Sequence, residues 1–399
     1  MPTMDAPGRC VLLKFGELAL KGRNRPRFVG ALERNLRRLT ADLGPLEVRH
    51  HGGVFIVTGE IPQEELVGRC LRLPGVSVVQ PALRCERDAT AAADAAVDLL
   101  RELPGRTFAV RASRRDKTFP LRSIELARLL GDAVRVRLGL DVDLSNPDLE
   151  LFVEVDHKDL LVSVERLRGA GGLPVGTSGR ALVLLSGGLD SPVAAYRMMK
   201  RGLRCDFLHF SGRPFTSPDS IYKAYALAGR LDRFQGGSRL YVVTFGQAQK
   251  RLATAGAGRL QVLSQRRLMM RVASALGERL GADALVTGDS LGQVASQTLP
   301  NLAVVEEAAQ LPLLRPLIDR DKSEIVDAAR ALGTYEISIL PDEDCCQLFS
   351  SNLPSTRGPP EDLRRIERTA DVEELVEELA ESAELLHPTL EERQVIPSG

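Results

Sequence analysis

Ala181-Leu-Val-Leu-Leu185, Ser186-Gly-Gly-Leu-Asp-Ser191 and Pro192-Val-Ala-Ala-Tyr-Arg-Met-Met199 follow one another directly and read as a strand, a tight turn and a helix. In that position two glycines let the backbone come close to an anion. Successive N–H groups and two serine hydroxyls can then cradle it at a helix N-terminus. Pyrophosphate is the natural occupant. The spacing is neither GxxxxGK[ST] nor GxGxxG, which excludes the kinase-type phosphate loop and the dinucleotide fingerprint. A plain strand-to-helix turn would need neither Asp190 nor its placement at a strand's C-terminal end.

From this turn the same pattern repeats. Ala181 to Leu185, Cys205 to Phe210, Tyr241 to Phe245 and Ala284 to Thr287 are short apolar runs, and the amphipathic stretches between them are long enough for crossover helices. That predicts a doubly wound parallel sheet. Upstream, Gly169-Ala-Gly-Gly-Leu-Pro-Val-Gly176 is poor helix or strand and marks a linker. Between about Thr90 and Leu167 the pattern predicts a helix at Thr90 to Leu103, a strand at Thr107 to Ala112, a helix at Ser123 to Leu138, and strands at Leu149 to Val155 and Leu160 to Val164. The first 80 residues read as a small α+β unit. It has strands at Cys10 to Phe15, Gly53 to Val57 and Val76 to Val79, helices at Phe28 to Leu39 and Gln63 to Leu71, and a basic loop from Lys21 to Arg27. The chain from Glu361 onward predicts one or two acidic amphipathic helices.

A length of 399 residues fits two or three folding units, and 44% hydrophobic residues suffice for sizeable cores. The 53 basic and 53 acidic side chains cancel, yet residues 1–58 carry net +5, residues 101–140 net +6 and residues 359–399 net −8. Screening keeps such fields local, so basic segments can attract phosphate on a neutral chain, although solvated helix faces would have the same composition. Aromatics are only 4% and Trp is absent, which disfavours aromatic-platform RNA reading. Six cysteines at 10, 70, 85, 205, 345 and 346 include no CxxC and have no His at zinc-ligand spacing, so no structural metal site is expected. No run reaches the roughly 18 apolar residues of a membrane span, and no leader-like start is visible; a cytoplasmic location with no membrane partner is expected.

The hexapeptide 186–191 resembles the SGGxDS loop of the pyrophosphatase-loop ATPases. Further on, Ala284-Leu-Val-Thr-Gly-Asp-Ser-Leu-Gly-Gln-Val-Ala-Ser-Gln-Thr298, Leu314-Arg-Pro-Leu-Ile-Asp-Arg-Asp-Lys-Ser-Glu-Ile325 and Glu343-Asp-Cys-Cys346 look like the tRNA 4-thiouridine synthetases (tRNA uracil 4-sulfurtransferases). Leu13-Lys-Phe-Gly-Glu-Leu-Ala-Leu-Lys-Gly22 and the stretch Arg111 to Gly176 are similar to that family's ferredoxin-like and THUMP domains. The resemblance runs from about residue 10 to 357. It implies a multidomain α+β and α/β chain, with an N-terminal ferredoxin-like domain at 1–60, a THUMP RNA-binding domain at 61–168, a Gly-rich linker at 169–176 and a pyrophosphatase-loop ATPase domain at 177–399.

The resemblance also implies an activity: ATP-dependent replacement of the O4 of uridine 8 in tRNA by sulfur, after adenylation, in the presence of Mg²⁺. ATP would lie against Leu184, Leu185, Ser186, Gly187, Gly188, Asp190, Ser191, His209, Phe210, Arg266, Gly288 and Gln297. Asp190 would place Mg²⁺ or the attacking oxygen, and Lys322 would neutralise charge on the transferring phosphate. Cys345 or Cys346 would carry persulfide sulfur, with Cys345 the first choice. The neighbouring carboxylates would raise a thiol pKa, so activation is expected from Lys322 or bound substrate. No rhodanese-like domain follows Cys346, so sulfur is expected from a cysteine desulfurase or another persulfide carrier, and a thiazole-forming role is doubtful. Lys21, Arg23, Arg25, Arg27, Arg111, Arg114, Arg115, Lys117 and Arg122 are the expected tRNA phosphate contacts; homodimer formation is left open. The alternatives are another loop ATPase, such as a 2-thiouridine, lysidine-forming or amidotransferase-type enzyme, and a non-catalytic RNA-binding protein with a decayed nucleotide site.

Overall fold

The structure of the protein, a computed structural model, describes residues 8–341, 348–350 and 354–389. It divides into two compact units, Met1–Leu173 and Pro174–Gly399. The division falls inside the Gly169–Gly176 stretch. The first part of that stretch is not loose chain: the Gly169 and Gly171 N–H groups donate to the carbonyls of Ser77 and Val76. A Cβ on Gly169 would lie 2.5 Å from the Val76 oxygen, so only glycine fits.

The first unit runs β1 (Arg9–Lys14), α1 (Arg25–Leu39), β2 (Leu46–His51), β3 (Val54–Gly59), α2 (Gln63–Leu71), β4 (Val78–Cys85), α3 (Ala89–Leu100), β5 (Thr107–Arg114), α4 (Ser123–Leu138), β6 (Asp141–Val142), β7 (Leu149–Val155), β8 (Leu160–Ser163) and β9 (Leu167–Arg168). The strands form one sheet in the order β2-β3-β1-β4-β8-β7-β5-β6, with β9 added on β4. Two large cores lie against it, beside a smaller cluster around Leu12, Ile56 and Leu161. Leu13, Leu32, Leu36 and Val57 pack with Leu66 and Cys70 of α2 in one, and Ala96, Phe108, Leu130 and Val153 pack in the other. The first core therefore extends past residue 60, where the sequence reading divides the chain. The edge strand β2 escapes that reading because in Leu46-Glu-Val-Arg-His-His51 only Leu46 and Val48 pack against the core, and no residue is fully buried.

The second unit runs β10 (Arg180–Leu184), α5 (Asp190–Lys200), β11 (Arg204–Ser211), α6 (Asp219–Asp232), β12 (Leu240–Thr244), α7 (Gly246–Thr254), α8 (Gln261–Leu280), β13 (Ala284–Val286), α9 (Leu299–Glu306), β14 (Leu313–Leu314), α10 (Lys322–Leu332), α11 (Tyr335–Ser338), α12 (Pro360–Thr369), α13 (Val372–Glu381) and β15 (Glu384–Leu386). The sheet order is β14-β13-β10-β11-β12-β15, parallel except for β15, which pairs antiparallel with β12. Apolar clusters cover both faces, as expected for strands that are apolar on both sides. The chain moves outward from β10 through β11 to β12 and then returns to the other side of β10 for β13. The crevice at the C-terminal ends of β10 and β13 is thus the topological switch point, where open α/β sheets place ligands.

The acidic tail is partly internal. Leu363, Ile366, Leu375 and Leu379 of α12 and α13 are buried against α8 and its neighbours. Glu367 accepts from Arg267 Nε at 2.6 Å, and Arg271 Nη2 also reaches it at 3.2 Å. Arg267, only 1% exposed, further bonds the Val304 carbonyl. Glu373, Glu374 and Glu377 pair with Arg271, Arg251 and Arg279. Much of the −8 charge of this segment therefore answers arginines of α7 and α8. Without Glu367 the buried Arg267 guanidinium keeps a single carboxylate contact, to Glu307 at 3.3 Å, and loses the pair at its Nε and Nη2. Glu367→Ala is accordingly expected to cost about 3–5 kcal/mol in urea unfolding, whereas Glu377→Ala, at an exposed pair, is expected to cost about 1 kcal/mol or less.

Candidate active site at the switch point of the sheet

The turn from β10 into α5 is braced by its own serines. The Ser186 N–H donates to Ser191 Oγ at 3.0 Å, the two hydroxyls lie 3.0 Å apart, and the Gly188 N–H donates to Ser186 Oγ at 3.2 Å. From outside the turn, the Ser338 hydroxyl donates to the Gly188 carbonyl at 3.2 Å. Neither Gly187 nor Gly188 has a positive φ. Their missing side chains therefore serve close approach from outside and not a left-handed backbone. The turn opens at the N-terminus of α5, where the helix dipole favours negative charge.

Gly288, just past β13, closes the crevice from the other side. A Cβ there would lie 2.7 Å from the Ser191 nitrogen and 2.8 Å from the Asp190 carbonyl carbon. Both are backbone atoms that cannot swing away, so this position admits glycine alone. Asp190, the first residue of α5, accepts from Lys322 Nζ at 3.1 Å and from Gln293 Nε2 at 3.4 Å. Lys322 opens α10, whose N-terminus is closed by Asp321 and Glu324 in a reciprocal capping box.

Beyond the turn lies a cavity of about 580 Å³. Leu184, Ser186, Asp190, Ser191, Arg266, Gly288 and Gln297, all expected from the sequence, line it. Other expected residues stand behind it. His209 is buried, with Nδ1 3.0 Å from the Leu185 carbonyl and Nε2 3.2 Å from Ser220 Oγ, so it supports the strand end from below. Leu185 and Phe210 are core residues, Phe210 packing edge-on against Phe245. Gly187 and Gly188 within the turn, and Lys322 beside it, lie outside the cavity lining. Cys345 and Cys346 lie outside the described residues.

Asp289 is the member that the sequence reading passed over. It is buried, and it accepts from Arg266 Nη2 at 2.5 Å, Thr287 Oγ1 at 2.8 Å, Gln297 Nε2 at 3.3 Å and Arg315 Nε at 3.4 Å. Burial alone would raise its pKa, but Arg266, the Thr287 hydroxyl and Arg315 outweigh burial and hold the carboxyl below its ordinary value. Arg266 also donates to the Ser296 carbonyl at 3.2 Å. The Arg266 and Gln297 side chains thus reach the cavity already oriented. Asp289 and Arg315 each sit just past the C-terminal end of a parallel strand, the signal that would have found them. Val262, Leu263, Met269 and Met270 of α8 form an apolar wall, and Arg259, Ser296, Ser350 and Ser355 add polar lining elsewhere.

Four of the six cysteines are described, and none suits thiolate chemistry. Burial pushes the Cys10 and Cys70 thiols up to about 12, Cys85 up to about 11, and Cys205 higher still. Among the described residues no cluster of three or more His, Cys, Asp or Glu side chains could hold a metal ion, and no helix is long and apolar enough to cross a membrane.

In the first unit the nine basic candidates divide. Arg114 donates to the carbonyls of Phe119 and Leu121, Arg115 is held by Glu154 at 2.8 Å and Asp156 at 3.5 Å, Arg111 pairs with Glu150, and Arg122 pairs with Glu125 in the cap of α4. These four are tied into the protein. Lys21 lies over the Phe28 ring, Arg25 and Arg27 begin α1, and Arg23, Arg27 and Lys117 are exposed without an ion-pair partner among the described residues.

Comparison with known families matches residues 10–79 to the ThiI ferredoxin-like domain, 87–165 to the THUMP domain and 176–372 to the thiamine biosynthesis protein (ThiI) family. The probable tRNA sulfurtransferase of Nocardia farcinica is 54% identical over 389 residues, covering 96% of this chain and 94% of the relative. That of Lysinibacillus sphaericus is 39% identical over 390 residues, covering 96% of each. Among solved structures, a 4-thiouridine synthetase–RNA complex with bound ATP superposes with a TM-score of 0.88 at 33% identity, covering 95% of this chain and 99% of that one.

The Gly288 contact makes a sharp test. Gly288→Ala should abolish calorimetric nucleotide binding while the protein stays folded, because the added methyl must displace the turn's backbone. The stabilising contribution of the Asp289 carboxylate should be fully present above the ordinary aspartate value of 3.8 and fall away as pH drops below it. Acid unfolding of Asp289→Asn should therefore lack that component of the wild-type pH dependence.

Proposed function

The chain belongs to the tRNA sulfurtransferase family, and on that premise we propose that it binds ATP in the switch-point cavity, adenylates the O4 of uridine 8 in tRNA and replaces that oxygen with sulfur. The observation that carries the proposal is the SGGLDS turn, with its Asp190–Lys322 pair, opening into a cavity that is polar at the turn and apolar along α8.

Uracil O4 is a poor leaving group. In this mechanism it attacks the α-phosphorus of ATP, pyrophosphate departs, and the resulting bond to AMP makes the oxygen displaceable. The turn from Ser186 to Ser191 holds the β- and γ-phosphates. The apolar wall of α8 receives the adenine, whose edge meets the groups that Asp289 orients, Arg266 and Gln297. Lys322, half-exposed and 3.1 Å from Asp190, can exchange its carboxylate partner for a phosphate oxygen as charge develops there. A magnesium ion held by phosphate oxygens needs only one or two protein carboxylates, and Asp190 is the one at the turn. When bound, the ion supplies neutralisation of phosphate charge.

The sulfur step balances with two thiols. The terminal sulfur of a persulfide on Cys345 or Cys346 attacks C4, and AMP leaves with the former O4. A second thiol then takes the remaining S–S bond, which leaves 4-thiouridine and a disulfide. The donor that loads the persulfide is a cysteine desulfurase or another carrier. The upward-shifted thiols of Cys10, Cys70, Cys85 and Cys205 favour assigning this chemistry to the 345–346 pair. Of the cations in the first unit without an ion-pair partner among the described residues, Lys21, Arg23, Arg27 and Lys117 are the proposed tRNA phosphate contacts.

Incubation of unmodified tRNA with ATP, Mg²⁺ and a sulfide or persulfide source, followed by digestion and nucleoside mass spectrometry, should yield 4-thiouridine. A different modified nucleoside or unchanged tRNA would overturn the proposal. Asp190→Ala and Lys322→Ala should abolish product while retaining tRNA binding, and Cys345→Ser should stop persulfide-dependent thiolation. Changing Lys21, Arg23, Arg27 and Lys117 together to Ala should weaken tRNA binding and flatten its dependence on salt without altering ATP affinity, as titrations across salt concentrations would show.

A further inference from the structure

The chain has twelve phenylalanines, and two of them are exposed: Phe215 at 39% and Phe349 at 42%. They are in contact with each other, edge to face, with ring centroids 5.2 Å apart. In a protein with so few aromatics, exposing two rings side by side gives up burial that every other phenylalanine retains at least in part. Lys250 stands beside them, its ammonium 5.9 Å from the Phe215 ring centre.

The pair sits next to the cavity. Phe215 follows β11 on the C-terminal edge of the sheet, and Phe349 immediately precedes Ser350, which lines the cavity. The backbone that carries Phe349 is anchored: Gln265, the neighbour of Arg266 on α8, donates to the Leu348 carbonyl at 2.9 Å. The Leu348 side chain closes on Gly212, where a Cβ would meet it at 2.7 Å. Phe349 itself has φ +58°, in the left-handed region that a bulky residue rarely adopts. Strain of this kind persists only where the surroundings impose it, and it clusters at sites that hold ligands. Glycine would suit that backbone better, so the ring is there despite the conformation.

We propose that Phe215 and Phe349, with Lys250, form a stacking platform for a nucleobase, the target uracil or its immediate neighbour, presented at the mouth of the ATP cavity. This rests on the reading of the site as an ATP-dependent tRNA thiolation centre. A flat base exposes a π-face that stacks on an aromatic ring whatever its identity, and a lysine beside the ring meets the phosphate of the same nucleotide. A protein partner fits less well, because a stable protein interface needs roughly 800 Å² on each side, far more than two half-exposed rings supply.

The test uses full-length protein and tRNA with a fluorescent pyrimidine, pyrrolocytidine, at position 8, together with steady-state thiolation of unmodified tRNA from inorganic sulfide. Wild-type protein should quench the probe. Phe349→Gly, which relieves the left-handed strain, and Phe215→Ala should lose the quenching and lower kcat/KM for tRNA about tenfold each, the order expected for one lost stack. ATP affinity and the urea midpoint should be unchanged, and Phe215→Tyr and Phe349→Tyr should restore both signals. Quenching that survives both truncations overturns the platform. So does a defect seen only with a protein-bound persulfide donor, which would assign the rings to docking that donor. Wild-type quenching without any 4-thiouridine would leave the platform standing and defeat the reading of the activity instead.

Discussion

The backbone contact between Gly288 and the Asp190–Ser191 peptide is the constraint on which the second unit's chemistry depends. It presses the turn after β13 against the turn after β10, so that two loops distant in sequence form one wall. On one side of that contact the SGGLDS backbone faces the cavity at a helix N-terminus. On the other, Asp289 gathers Arg266, Gln297, Thr287 and Arg315. A side chain of any size at position 288 would separate the two, and the SGGLDS end of the cavity would no longer face the cluster around Asp289.

Helix α8 links this wall to the rest of the unit because three consecutive residues point three ways. Gln265 holds the segment that leads to Phe349, Arg266 enters the cavity, and Arg267 is buried against Glu367 of the tail. The position of Arg266 is thus fixed from both sides, by Asp289 ahead and by the Arg267–Glu367 pair behind. The tail's charge, which on sequence alone reads as the polar side of one or two acidic amphipathic helices, is to a large extent the counter-charge of α8 and of α7.

The doubly wound sheet and the SGGLDS turn between β10 and α5 were legible because each depends on residues whose spacing is local or whose motif is distinctive; Asp190 and Lys322 were singled out, but the contact between them was not read. Asp289 and Arg315 were not legible, since their importance comes from convergence on one point of side chains that are far apart in the chain. For Phe210 and His209 the structure gives the side-chain placement. Their place at a strand end suggested ligand contact, yet alternation along β11 turns one ring into the core and leaves the other bracing Leu185 and Ser220. In the basic run at 111–122, charge composition cannot tell an arginine that neutralises Glu154 from a cation such as Lys117 that has no ion-pair partner among the described residues. Strand β2 was missed because its alternation is short, with only Leu46 and Val48 half-buried against the core before the polar Arg49-His-His51.

The central claim, that a polyphosphate held at this turn turns an inert carbonyl oxygen into a leaving group, is tested most directly by following that oxygen. Transfer RNA transcribed with ¹⁸O at the uridine O4 positions, incubated with the protein, ATP and a sulfur donor, should give AMP that carries one ¹⁸O atom for each 4-thiouridine formed, as read by mass spectrometry. Thiolation accompanied by unlabelled AMP would contradict adenylation of the base and with it the role assigned to the SGGLDS turn.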